Sequence, residues 1–214
     1  MRELMAGMLA WRTWLRRSLF VLGVRLRARL AGATVEISVA PDARIEGRVD
    51  VYVQPRSKNR LTIGRKCRIE AGVLLELKGG TIELGKSCEL RRNTVLNVSG
   101  VLSLEGNNIL SYGDIVHCAD RITLAPFASC SEYVTIADSR HFHTDEQAFF
   151  YDNVESAPVA IGANTWLANK SSVLMGVTIG DCATVAGHSV VTRDVPPKTL
   201  VAGAPAKPIG TTLP

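Results

Sequence analysis

The feature that most constrains this chain is a six-residue beat. From Ile161 to Val195 the sequence reads IGANTW, LANKSS, VLMGVT, IGDCAT, VAGHSV, VTRDV, with an aliphatic residue opening each group. Such a period fits neither the turn of an α-helix nor the alternation of a plain strand. It describes a solenoid in which each hexad makes one short face and turns a corner. The register extends back through most of the chain. Openers fall at Val39, Ile45, Val51; Ile63, Ile69, Leu75; Leu84, Leu90, Leu96; Leu104, Leu110, Val116; Leu124, Cys130, Ile136; Ile161, Leu167, Val173; and Ile179, Val185, Val191. Only Cys130 among them is not Ile, Leu or Val. Grouped in threes, the openers predict a mainly β chain of seven triangular coils, each burying its openers against the next. The fourth residue after an opener is small or short in many hexads, including Ala43, Cys67, Thr94, Ala128, Thr165, Ser171, Ala183 and Ser189, as a tight corner requires. The register weakens around Asn108, Asp114 and Asp120.

Charge becomes informative once it is located. Residues 1–30 hold Arg2, Arg12, Arg16, Arg17, Arg25, Arg27 and Arg29 against Glu3 alone, a balance of +6, so the chain's net +5 comes from an N-terminal arm and the remainder carries −1. A localised balance of this kind does not predict a nucleic-acid footprint. In the same segment Leu4, Met8, Trp11, Leu15, Leu19, Leu22, Leu26 and Leu30 recur every three or four residues, which predicts an amphipathic helix or helix pair. Arginines interrupt it before it reaches the roughly 20 apolar residues of a membrane span. The Leu19–Val24 run is also short for a secretory signal core. Two readings stay open: the stripe packs on the solenoid or a sister subunit, or residues 1–30 make peripheral contact with an anionic membrane surface, arginines at the phosphates. The predicted organisation is an arm over 1–34, a repeat domain over 35–208 with an inserted loop at 137–160, and a tail over 209–214.

The five cysteines lack metal-ligand spacing, and Cys67, Cys88 and Cys130 occupy corner or opener slots, so small buried hydrophobes are expected. Without a disulfide framework or a signal pattern, the expected compartment is the cytoplasm.

Chemistry is expected where the repeat breaks. Between Ile136 and Ile161 the chain inserts ADSRHFHTDEQAFFYDNVESAPVA, and such insertions land on one face of a solenoid. The loop holds His141 and His143, with Asp138, Asp145 and Glu146 nearby, while His117 and His188 lie in the repeats. Histidine titrates near working pH and suits proton transfer. No phosphate loop or dinucleotide fingerprint accompanies them.

The repeat, the His-bearing loop, Ile161-Gly162 with Trp166, the run Gly176-Val177-Thr178-Ile179-Gly180, and the ending Asp194-Val195-Pro196-Pro197 through Ala202-Gly203-Ala204-Pro205-Ala206-Lys207 together resemble the hexapeptide-repeat acyltransferases, and most closely their sugar O-acetyltransferase branch. The resemblance covers roughly residues 35–208 and implies a left-handed parallel β-helix. It also implies acetyl-CoA as acyl donor, a saccharide acceptor and a homotrimer with sites between neighbours. It places the general base on His141, with His143 two residues further on as the alternative. It carries acceptor contacts to Ser111, where small-sugar members have asparagine, and to neighbouring Asp114. Donor contacts fall on Asn169, Gly187 and Thr192, phosphate contacts on Arg193 and Lys207, and Trp166 beside the site. Asp138, Asp145 and Glu132 are candidates to orient the imidazole. The same residues are also compatible with N-acetylation of an amino sugar, and with a non-catalytic or zinc-binding scaffold using the close His141, His143 pair.

Overall fold

The computed structural model describes residues 2–142 and 153–212, with side chains described from Trp11 onwards. One helix, α1 (Arg2–Leu30), precedes a parallel β-solenoid of seven coils, over residues 34–53, 58–77, 81–98, 101–118, 121–137, 159–173 and 178–191. Each coil gives one strand to each of three sheets, the first and third with seven strands and the second with nine. The second sheet gains its last two strands from a closing antiparallel hairpin, Thr199–Gly203 with Ala206–Thr211.

The openers stack on one another along the axis. In the first sheet Val39 pairs with Ile63, Ile63 with Leu84, Leu84 with Leu104, Leu104 with Leu124, Leu124 with Ile161 and Ile161 with Ile179. The third sheet aligns Val51, Leu75, Leu96, Val116, Ile136, Val173 and Val191 in the same way. All are buried except Val39, which is partly covered against the core. Each hexad thus carries the chain to the next face, and three hexads with their connecting residues return an aliphatic side chain to the same axial row; burial of these rows supplies the main favourable term.

Corners explain where the register weakened. The backbone enters the left-handed region three residues after most openers, at Lys66, Ser87, Asn107, Phe127, Asn164 and Cys182 in the first corner and at Asn93, Tyr133, Lys170 and His188 in the second. The next residue turns inward. Asn108 and Asp114 occupy inward slots at 0% and 1% exposure. Asn108 donates to the carbonyls of Ala125 (2.7 Å) and Ala128 (3.0 Å) and accepts from the Gly106 N–H (2.8 Å). Polar residues there are tolerated because backbone groups of their own and the next coil satisfy them. Asp120, by contrast, is exposed at the third corner.

The arm is one helix, not a pair, and its buried face differs from the predicted stripe. Phe20, Val24 and Ala28, spaced by four, sit on the first coil and close the open end of the core, while Arg17 donates to the Ala40 carbonyl at 3.3 Å. Trp11, Leu19, Leu22, Leu26 and Leu30 of the stripe remain exposed. Packing of that stripe on the chain's own solenoid is therefore corrected: a second apolar row at i, i+4, i+8 competes for the core and wins it.

Candidate functional site

The inserted loop leaves the solenoid at the third corner, between coils five and six. Its described ends form a short antiparallel ribbon, Ser139–His141 against Val154–Ser156, with His141 opposite Val154. Arg140 and Glu155 form an ion pair across it. The ribbon is fastened at its root. Asp138 is fully buried, and its carboxylate accepts N–H bonds from Ala119 (2.7 Å) and Asp120 (2.8 Å) of the coil above, while its carbonyl accepts from the Ala157 N–H. Asp138 thus anchors the ribbon to the solenoid. His141 stands three residues beyond this anchor, exposed at the ribbon's end. His143, Asp145 and Glu146 lie outside the described residues.

The donor-side residues divide between two corners. Asn169 and Gly187 stack at the second corner of coils six and seven, where the His188 N–H donates to the Asn169 carbonyl (3.1 Å). A Cβ on Gly187 would come within 2.8 Å of Asn169 Oδ1, so glycine leaves room for that amide. Thr192 and Arg193 follow the last strand of coil seven at the third corner, below the ribbon's root. Both are exposed, as is Lys207 on the closing hairpin. Trp166 stands half-exposed on the outside of the second sheet, its Nε1–H donating to Ser131 Oγ at 2.9 Å. His141 and Trp166 therefore sit on different sides of one prism, separated by the third sheet. At about 3.3 Å per residue, the five steps from Asn169 to Leu174 span at most roughly 16 Å.

The acceptor-side residues are more interior than expected. Asp114 faces into the solenoid, its carboxylate accepting from the N–H groups of Ser111 (2.7 Å) and Val134 (2.8 Å). Burial pushes its carboxyl up to about 7, outweighing those two donors, which pull it down. An inward, doubly bonded carboxylate braces this corner of the solenoid. Ser111 is 2% exposed, with its hydroxyl 3.5 Å from Glu132 Oε1. The neighbouring outer surface is aromatic: Tyr112 and Tyr133 are exposed on adjacent coils, and the Arg91 guanidinium lies 5.7 Å from the Tyr112 ring centre. That pair was not singled out from sequence, where only its recurrence one coil apart could have signalled it. Cys118, Cys130, Cys67 and Cys88 are buried as expected. Burial lifts the Cys118 thiol to about 12 and raises Cys130 as well, so neither is an activated nucleophile.

Repeat, coils and side loop define the class of fold as a hexapeptide β-solenoid. No protein-family model matches the chain. A Staphylococcus aureus protein named an acetyltransferase is 37% identical over 75 residues, 35% of this chain and 36% of its own length. A Mycobacterium tuberculosis protein, also named an acetyltransferase, is 28% identical over 159 residues, covering 74% of this chain and 46% of its own. The chain thus spans between about a third and a half of these curated relatives. Among solved structures, a point mutant of AntD, an N-acyltransferase from Bacillus cereus in complex with dTDP-4-amino-4,6-dideoxyglucose and coenzyme A, superposes with a TM-score of 0.56 at 14% identity, covering 81% of this chain and 82% of that one. A maltose O-acetyltransferase from Clostridium difficile gives 0.50 at 23% identity, covering 62% and 70%. At these identities the likeness establishes a shared fold.

Proposed function

We propose that this chain is an acetyl-CoA-dependent O-acetyltransferase acting on a saccharide hydroxyl, with His141 as general base. The observation that carries this reading is an exposed histidine at the end of a ribbon whose root is locked into the solenoid by Asp138. His141 takes the proton of the acceptor hydroxyl as its oxygen attacks the thioester carbon. The carbon–sulfur bond breaks, and the imidazolium returns the proton to the departing thiolate. Main-chain groups around Asn169, Gly187 and Thr192 line the acyl arm, and Arg193 and Lys207 meet its phosphates. The names of the sequence relatives support acetyl transfer, and the coenzyme A in the AntD complex supports the donor class.

The division of residues between two corners supports a composite site. One chain keeps His141 apart from Trp166, and a homotrimer of side-by-side prisms brings the ribbon of one subunit against the second corner of another. Thiol release from acetyl-CoA, followed with a panel of sugars and amino sugars, tests the reading. Release dependent on a sugar hydroxyl supports it; release only with amino sugars replaces it with N-acetylation; no release with any acceptor, together with no binding of coenzyme A, removes it. Mixing inactive His141→Ala subunits with inactive Trp166→Ala subunits tests the composite site. Restored activity supports sharing, and none contradicts it.

A further inference from the structure

We infer that the outward face of α1 docks this protein on an anionic lipid bilayer, lying in its interface. At about 100° per residue, Trp11, Leu15, Leu19, Leu22, Leu26 and Leu30 fall on one sector of the helix, opposite the Phe20, Val24, Ala28 row fixed on the first coil. Five of the six are exposed, Leu30 at 79% and Leu22 at 63%. The helix is therefore held by one face and presents the other at the end of the solenoid, away from the sheets. Arg12, Arg16 and Arg27 border the apolar sector on one side, and Arg25 and Arg29 on the other. Apolar side chains flanked on both sides by arginine match the boundary between acyl chains and phosphates. Two grooves where α1 meets the first coil add to the match. One, of about 220 Å³, is lined by Arg16, Arg27 and Arg48 around Leu19 and Val51. The other, of about 440 Å³, is lined by Arg17 and Arg25 around Ile37 and Val39.

Charge selects the lipid surface over a second copy of the helix. Between residues 4 and 35 the sequence has no Asp or Glu, so pairing two such faces would oppose like charges without compensation. An anionic bilayer supplies the missing countercharge. No described helix is long and apolar enough to cross a membrane, so the contact lies in the interface.

The test is co-sedimentation of the full chain with vesicles of phosphatidylcholine alone and with added phosphatidylglycerol, alongside Leu22→Glu/Leu26→Glu and Arg12→Ala/Arg25→Ala variants. These side chains are exposed, and a circular dichroism melt checks that each variant keeps its fold. The expected result is binding to the anionic vesicles that weakens with salt and falls at least about tenfold in either variant, with a blue shift in tryptophan emission. Equal partitioning of all three proteins would overturn the inference. So would a change in particle size on light scattering in the leucine variant without any vesicle binding by the parent, since that outcome assigns the face to another copy of the chain.

Discussion

The solenoid interior and the ribbon that leaves it at the third corner differ in what their residues do. In the coils, Leu96, Leu110 and Leu167 are fully buried and interchangeable in kind, each one rung of a row. In the ribbon, Arg140 and His141 are exposed, and the two described strands are three residues each. Between them stands Asp138, buried like a core residue yet bonding the ribbon's root to the neighbouring coil. Redundant packing below holds a non-redundant side chain above. Stability is therefore a property of the rows, while the proposed chemistry depends on one group that contributes little to them.

The largest effect that sharpens this contrast is in a row. Leu110→Ala should lower unfolding free energy by about 2–5 kcal/mol, measured by urea denaturation, with loss of activity only through loss of folded protein. A smaller change would mean that the coils relax around cavities and the rows are not the main support. Next is the polar corner. Burial holds the folded-state pKa of Asp114 at about 7, above the ordinary aspartate value of 3.8, so the folded form holds a proton that the unfolded form releases. This group's contribution is full below about pH 4, declines between about 4 and 7, and is lost above, at up to about 1.4 kcal/mol per pH unit. Stability measured from pH 5 to 8 should fall accordingly, and Asp114→Asn should flatten that slope. Smaller again, Phe127 adopts φ 65° at an exposed corner, a conformation asparagine accepts more readily. Phe127→Asn should stabilise by up to about 1 kcal/mol. Smallest is Arg140→Ala, which removes an exposed ion pair of the ribbon and should change global stability by less than about 1 kcal/mol.

The rows were legible because their signal is repeated twenty-one times in the openers and each repetition has the same cause. The polar corner slots were not: Asn108 and Asp114 looked like lapses in the pattern, and only the placement of carbonyl and N–H groups from the adjacent coil shows them as satisfied. Left-handed corners were hidden as well, since residues such as Phe127, Tyr133 and Lys170 carry no glycine signature. In α1 two apolar rows share one helix, and the bulkier Trp and Leu row drew attention from Phe20, Val24 and Ala28, which meet the core. The loop and His141 stood out as a break in period. That the ribbon is rooted through Asp138, and that Trp166 lies on another side of the prism, depends on how coils stack and cannot be read along the chain.

The most direct test of the central claim compares His141→Ala with the parent for acceptor-dependent thiol release and for thermal unfolding in parallel. The expected result is a fall in rate of at least about 100-fold with the melting transition unchanged. Activity that survives the substitution would contradict it and move the search for the base beyond His141.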